Sequence, residues 1–199
     1  MTAGTRSWVS ERFGVELTGD ARLPGLVGLA LRHNPRRAHL LVSTVLGKHV
    51  PVDPRLVHAT GLELGRAVAA RLDGASALVM GFAETATGLG HAVAEALAAP
   101  YLHSTRRSVA TAPPAACFEE EHSHATGHRL LPEDAGLLGA GEVVVLVDDE
   151  LSTGRTALNT IAALHARHPR RRYVLAALVD LRGPAELAGC AAFAAERDV

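Results

Sequence analysis

Val143-Val144-Val145-Leu146-Val147-Asp148-Asp149-Glu150-Leu151-Ser152-Thr153-Gly154-Arg155-Thr156 holds the most informative pattern in the chain. Five apolar residues without alternation, Val143 to Val147, read as a strand buried on both faces, as in parallel sheets. Two carboxylates end the run, a short polar loop turns on Gly154, and a helix carrying Leu158, Ile161 and Leu164 follows. The chemistry of the turn is specific. Backbone N–H groups of a tight Gly-containing loop at a helix N-terminus converge on an anion, and the helix dipole favours it. Ser152, Thr153 and Thr156 add hydroxyl donors. Asp148 and Asp149 suit the hydroxyl protons of a sugar and a nearby hard cation. A strand-end Asp pair that merely caps the helix would use the same residue types, but would not need the whole pattern.

Working outward, the same strand–loop–helix order recurs. Ala77 to Phe82 is a short apolar run, followed by a Gly- and Thr-rich loop and a helix with Leu89, Val93 and Leu97 on one side. Pro100 stops that helix, and Tyr101 to Ser104 reads as a strand. Upstream, Ala38 to Leu46 reads as a strand and Pro51 and Pro54 break the chain. From Leu56 to Leu72, Val57, Gly61, Leu64, Val68 and Leu72 mark one helix face, ended by Asp73 and Gly74. Downstream, Tyr173 to Val179 is a buried strand and Pro184 starts a helix through Phe193. The expected fold is α/β, an open parallel sheet with helices on both faces. Ligands of such sheets bind beyond the carboxyl ends of the strands. The stretch 106–140, with Pro113, Pro114 and Pro132, is the least regular, and its length suits a functional lid or a disordered loop.

Composition narrows the function. The chain has 199 residues, 48% hydrophobic and 4% aromatic, with a formal net charge of −1. That supports a single domain with a full core, or one domain plus an appendage, and carries no basic footprint for nucleic acid. The basic run Arg170, Arg171, Arg172 reads as a solvated turn before a strand. Cys117 and Cys190 have no metal-type spacing and imply no disulfide framework. Residues 1–20 lack the apolar run of a signal peptide, and no apolar stretch approaches the roughly 20 residues that span a bilayer. The expectation is a soluble cytoplasmic protein with no nucleic-acid or membrane partner. There is no Walker A motif and no Gly-x-Gly-x-x-Gly fingerprint, which removes the signatures of the commoner nucleotide-binding α/β domains.

The 143–156 pattern resembles the signature by which type I phosphoribosyltransferases bind 5-phosphoribosyl 1-pyrophosphate (PRPP). It departs at Glu150, where that family usually has an aliphatic residue. The resemblance implies that Glu150, Leu151, Ser152, Thr153, Gly154, Arg155 and Thr156 hold the 5-phosphate. It also implies that Asp148 and Asp149 hold the ribose hydroxyls and lie beside Mg²⁺. Gly81-Phe82-Ala83-Glu84-Thr85-Ala86-Thr87-Gly88-Leu89-Gly90 stands where such enzymes hold pyrophosphate, making Glu84, Thr85, Ala86, Thr87 and Gly88 the expected contacts. Leu41-Val42-Ser43-Thr44-Val45-Leu46-Gly47-Lys48-His49-Val50-Pro51 looks like the strand and turn near the start of orotate phosphoribosyltransferases, a region that helps form the hood over the base. Lys48 there is open to two readings, an anion contact or a plain surface lysine.

The family also implies a mobile lid near 106–140, a hood near 1–54, and a homodimer in which one subunit's lid or hood reaches the other's site. The lid usually brings a lysine, and this stretch has none. Arg106, His122, His124 and Arg129 are the cations available, with His122 or His124 as the group that handles the base's proton. The spacing of His122, His124 and His128 beside Glu119 to Glu121 also admits a zinc reading. The Gly-Phe-Ala-Glu-Thr-Ala-Thr-Gly-Leu-Gly stretch together with Glu-Glu-His-Ser-His-Ala resembles an orotate phosphoribosyltransferase-like branch associated with bacterial tellurium-resistance and stress-response gene clusters. Longer members of that branch carry a further domain, so the end of the chain directly after a helix suits a piece of a longer protein. A non-catalytic PRPP or nucleotide sensor of the same fold is the alternative function.

Overall fold

The computed structural model describes residues 8–14, 16–31, 39–119 and 127–199. Two compact units divide the chain, Met1–Val57 and His58–Val199. The first holds helices α1 (Trp8–Phe13) and α2 (Leu23–Leu26) and an antiparallel pair, β1 (Val27–Leu31) with β2 (His39–Ser43). Val9, Val27, Leu41 and Val45 are its buried apolar residues among those described. The strand expected over Ala38–Leu46 ends earlier, at Ser43. Thr44 then turns back on α2, its N–H and hydroxyl donating to the carbonyls of Leu26 and Gly25, both at 2.9 Å.

Helix α3 (Pro54–Leu72) leads into the second unit. There follow β3 (Ala77–Gly81), α4 (Ala86–Leu97), β4 (Tyr101–Thr105), β5 (Ala116–Glu119), β6 (Gly127–Leu130), a 3-10 turn (Ala135–Gly139), β7 (Val143–Leu151), α5 (Arg155–His165), β8 (Tyr173–Asp180) and α6 (Pro184–Arg197). One sheet takes them in the order β5-β6-β4-β3-β7-β8. β4, β3, β7 and β8 are parallel, and β6 and β5 add an antiparallel edge. No described helix is long and apolar enough to cross a membrane.

Strand periodicity sorts the core into two layers. Leu78, Met80, Val144 and Leu146 pack with Ala157, Ile161 and Leu164 of α5, and Phe193 of α6 packs against the same cluster. Val79, Val145 and Val147 face the other way and are equally buried, on the side where α4 crosses β3 and β7. Small residues let that side close. A Cβ on Gly90 would lie 2.9 Å from Gly81 Cα, and one on Gly61 or Gly65 of α3 would lie 2.4–2.5 Å from Ala92 or Ala96 of α4. Each fully buried leucine contributes about 1.5–3 kcal/mol of transfer free energy, and several are completely enclosed here.

Two expectations are corrected. The stretch 106–140 is not irregular throughout: β5 and β6 lie in the sheet, with Phe118, Leu130 and Leu138 buried. Four-residue strands separated by a polar run carry too little periodicity to be seen in sequence. The Arg170–Arg172 run is also not a solvated turn as a whole. Arg170 is 7% exposed, and its guanidinium donates to the carbonyls of Leu138, Ala140, Gly141 and His168. Five donors on one planar head satisfy the carbonyls left over where the 3-10 turn ends. Arg172 donates to the last carbonyl of α3, Leu72, at 2.8 Å. Only Arg171 is exposed.

Candidate functional site

The parallel strands all end on one edge of the sheet, and four connections leave from it: 82–85 after β3, 106–115 after β4, 152–154 after β7 and 181–183 after β8. The chain starts at β3, steps to β4 on one side of it, and later returns to β7 on the other side. The order therefore switches direction at β3 and β7, the position where open sheets bind ligands.

At the β7 end the strand runs further than expected. Pairing with β8 continues through Asp148↔Ala177, Glu150↔Val179 and Leu151↔Asp180, after which Leu181 N–H donates to Leu151 O at 2.8 Å. Glu150 and Leu151 are thus strand residues, and Leu151 is buried. The loop proper is Ser152, Thr153 and Gly154. β3 stops opposite Val147, so beyond that point β7 is paired on one side only. Asp148 and Asp149 sit there, half-buried, on alternate faces of the strand. Asp148 Oδ1 accepts from Asp149 N–H at 2.9 Å.

Gly154 has φ 78° and caps α5, a backbone region that side chains other than glycine rarely adopt. The first turn of α5 leaves N–H groups without helical partners, and Ser152, Thr153 and Thr156 bring their hydroxyls to the same end, partly exposed. Arg155 is exposed. Behind the loop stands Arg182, whose Cδ would lie 3.1 Å from a Cβ on Gly154. Arg182 pairs bidentately with Asp180 at 2.7 and 2.9 Å and donates to Cys190 Sγ at 3.4 Å. Hydrogen bonds from Arg182 hold the Asp180 carboxyl below the usual carboxylate range, and that carboxylate raises the Arg182 guanidinium.

At the β3 end the loop is held by its neighbours. Ala83 N–H donates to Ser104 Oγ of β4 at 2.9 Å. Tyr101 Oη, also from β4, donates to Thr87 O at 2.6 Å, and burial pushes its phenol well above the ordinary value. Thr87 Oγ1 donates back to Glu84 O at 3.0 Å. Glu84 and Gly88 are exposed, Thr85 and Thr87 half-buried and Ala86 enclosed, with the Ala86 N–H donating to Phe82 O at 3.1 Å. A Cβ on Gly88 would meet nothing within 4 Å.

These two loops gather Glu84–Gly88 with Asp148–Thr156. Arg106 follows β4 at the same edge, half-buried, with its carbonyl accepting from Arg129 at 3.3 Å. Lys48 is exposed in the loop after β2, in the other unit. His122 and His124 lie outside the described residues. His128 is a core residue of β6, bonded to Ser104 through Nδ1 at 2.9 Å, which turns it from the zinc set the spacing suggested. Among the described residues no three His, Cys, Asp or Glu side chains cluster to hold a metal. Tyr101, Ser104 and Arg182 were not singled out from sequence as parts of the site, and His128 was read there only as a zinc candidate. Their one signal, a polar side chain at or beside a strand end, is common to many strands.

A family model described as Phosphoribosyl transferase matches residues 26–199. Three solved structures share the fold at low identity. Adenine phosphoribosyltransferase from Rhodothermus marinus is 20% identical, with 79% of this chain and 84% of that one covered and a TM-score of 0.56. The Giardia lamblia enzyme complexed with 9-deazaadenine is 18% identical over 85% and 91%, with a TM-score of 0.57. The Saccharomyces cerevisiae enzyme with an imino-altritol bisphosphate and adenine is 16% identical over 83% and 92%, with a TM-score of 0.55. No curated protein matches the chain by sequence.

Proposed function

The chain belongs to the phosphoribosyl transferase family and is an enzyme of the type I fold, and from that premise we propose that it transfers the 5-phosphoribosyl group of PRPP to a nitrogenous base, releasing pyrophosphate. One observation carries the reading. Two anion-suited loops, Glu84–Gly88 and Ser152–Thr156, leave neighbouring parallel strands at the switch point, and the carboxylates Asp148 and Asp149 stand at the end of the strand feeding the second. PRPP has that layout of charge: a phosphate at one end, a diphosphate at the other and a diol between.

In this reading the N–H groups and hydroxyls of Ser152, Thr153, Gly154, Arg155 and Thr156 bind the 5-phosphate. Asp148 and Asp149 accept from the ribose hydroxyls, from opposite sides of the strand, and their charge favours a sugar that becomes cationic as the bond to the diphosphate lengthens. Glu84–Gly88 orients the diphosphate as leaving group. Arg106 adds a cation at the same edge. His122 or His124 handles the proton of the base. Mg²⁺ fits the donor set. Asp148 and Asp149 lie on opposite faces of β7, so either carboxylate would offer a hard cation oxygen ligands, the remaining oxygens coming from phosphate and water. When bound, it neutralises charge on the departing diphosphate.

The orotate phosphoribosyltransferase-like, stress-associated branch is the finer assignment we favour from the sequence stretches, and it leaves the base open. The test is PRPP-dependent pyrophosphate release with Mg²⁺ across purines, pyrimidines and small carboxylate-bearing heterocycles. Adenine is included because two of the neighbours were solved with adenine or its 9-deaza analogue. Release with one base and not without it is the expected result. PRPP binding without turnover of any base would favour the sensor, and no PRPP binding would reject both readings.

A further inference from the structure

Ser104 sits one step past the end of the β3–β4 ladder, whose last pair is Gly81↔His103. At that step a side chain takes over from the backbone: Ser104 Oγ accepts the Ala83 N–H, the donor that opens the loop toward Gly88. The hydroxyl is completely enclosed, and its other partner, His128 Nδ1 at 2.9 Å, is 1% exposed. The His128 ring stacks on Phe118, with centroids 5.0 Å apart and planes 17° apart, so its orientation is fixed by β5. The strand that carries it pairs with β4 at Ser104↔Leu130 and Thr105↔Arg129.

A hydroxyl offers one proton and two lone pairs. With one lone pair taken by Ala83 N–H, the hydroxyl still has a proton to give Nδ1 or a second lone pair to receive one from it, whichever the imidazole tautomer calls for. Losing the imidazole frees the hydroxyl to rotate, and losing the hydroxyl leaves a backbone N–H of the loop without its partner.

We propose that Ser104 and His128 are positioning residues: a buried hydroxyl–imidazole bridge that sets the Ala83–Gly88 loop in the shape that receives pyrophosphate and ties it to the β5–β6 hairpin. This rests on the reading of that loop as the pyrophosphate subsite. The bridge touches no substrate. It acts by fixing the first peptide of the loop, so that the N–H groups beyond it are already aimed when the diphosphate arrives.

The test uses calorimetry on three ligands: magnesium pyrophosphate, PRPP with Mg²⁺, and ribose 5-phosphate, which the reading assigns to the Asp148–Thr156 loop alone. Ser104→Ala is expected to weaken pyrophosphate and PRPP about tenfold, the cost of one buried hydrogen bond left unmade, and to leave ribose 5-phosphate unchanged. His128→Leu should act in the same direction. His128→Asn, which keeps an acceptor near Nδ1, should recover most of the loss, a rescue that packing alone would not give. Should Ser104→Ala fail to fold, the His128 pair carries the comparison. A parent that binds all three ligands, with variants that bind pyrophosphate equally well or lose all three alike, overturns the bridge. A parent that binds ribose 5-phosphate but not pyrophosphate overturns the reading of the Ala83–Gly88 loop, and the bridge with it.

Discussion

The loop after β7 and the loop after β3 do similar jobs by different constructions. The first is largely self-contained. Gly154 supplies the left-handed turn, the hydroxyls are within four residues of it, and the α5 N-terminus is its anion platform. The second is assembled from elsewhere. Its first N–H is taken by Ser104, the carbonyl of Thr87 is held by Tyr101, and the glycines that let α4 close on β3 are Gly81 and Gly90. A self-contained loop fails when its own residues change, whereas a scaffolded one fails when a neighbouring strand changes.

The sharpest challenge to that contrast is Asp148→Asn with Asp149→Asn. Charge-assisted bonds are about twice as strong as neutral ones, so a loss of about 1.5–3 kcal/mol per contact is expected, on the order of tenfold to a hundredfold per residue in PRPP affinity. Thermal melting should change little, because the carboxyls lie on alternate faces of a strand and both amides keep their acceptors. A double variant that melts normally and binds PRPP as tightly as the parent removes the first loop from the site.

Gly81→Ala addresses the scaffolded loop. The new Cβ would sit 2.6 Å from Ala86 O and 2.8 Å from Tyr101 Oη, and backbone cannot yield cheaply, so a loss of about 3 kcal/mol in unfolding free energy by urea denaturation is expected. Gly154→Ala should cost about 1 kcal/mol, from its positive φ, since the atom it approaches most closely belongs to the Arg182 side chain, which can move. Equal losses at the two glycines would blur the distinction between the loops.

Tyr101→Phe removes one bond from outside the loop. It should cost about 1 kcal/mol of stability and weaken pyrophosphate less than Ser104→Ala, with ribose 5-phosphate unaffected in calorimetry. Any weakening of ribose 5-phosphate would mean the loops are not independent.

The smallest effect concerns the support behind the first loop. Arg182 lowers the folded-state pKa of Asp180 below its usual value of 3.8. The stabilisation is therefore present above that value and lost as pH falls through the lower, folded one. Asp180 is half exposed, with 46% of its side chain accessible, so screening holds the contribution to about 0.5 kcal/mol. Asp180→Asn should remove that increment at neutral pH and flatten the acid limb of the stability curve below about pH 4. An unchanged acid limb would assign the pair no part in holding the loop.

Local pattern alone determined the alternation of strands and helices, the burial of Val143–Val147, the C-terminal end of α3 and the start of α6, and the candidate loops, because each of these signals lies within a few residues of chain. The tertiary structure decided what depends on partners far apart in sequence. β7 runs on to Leu151 because β8 lies beside it. β5 and β6 are strands because β4 offers an edge. Arg170 is buried because carbonyls about 30 residues upstream need its donors. Ser104 and His128 meet across 24 residues. A hydroxyl or an imidazole reads the same in sequence whether it faces water or a backbone amide. Only the packing of β4 between β3 and β6 gives these two their partners.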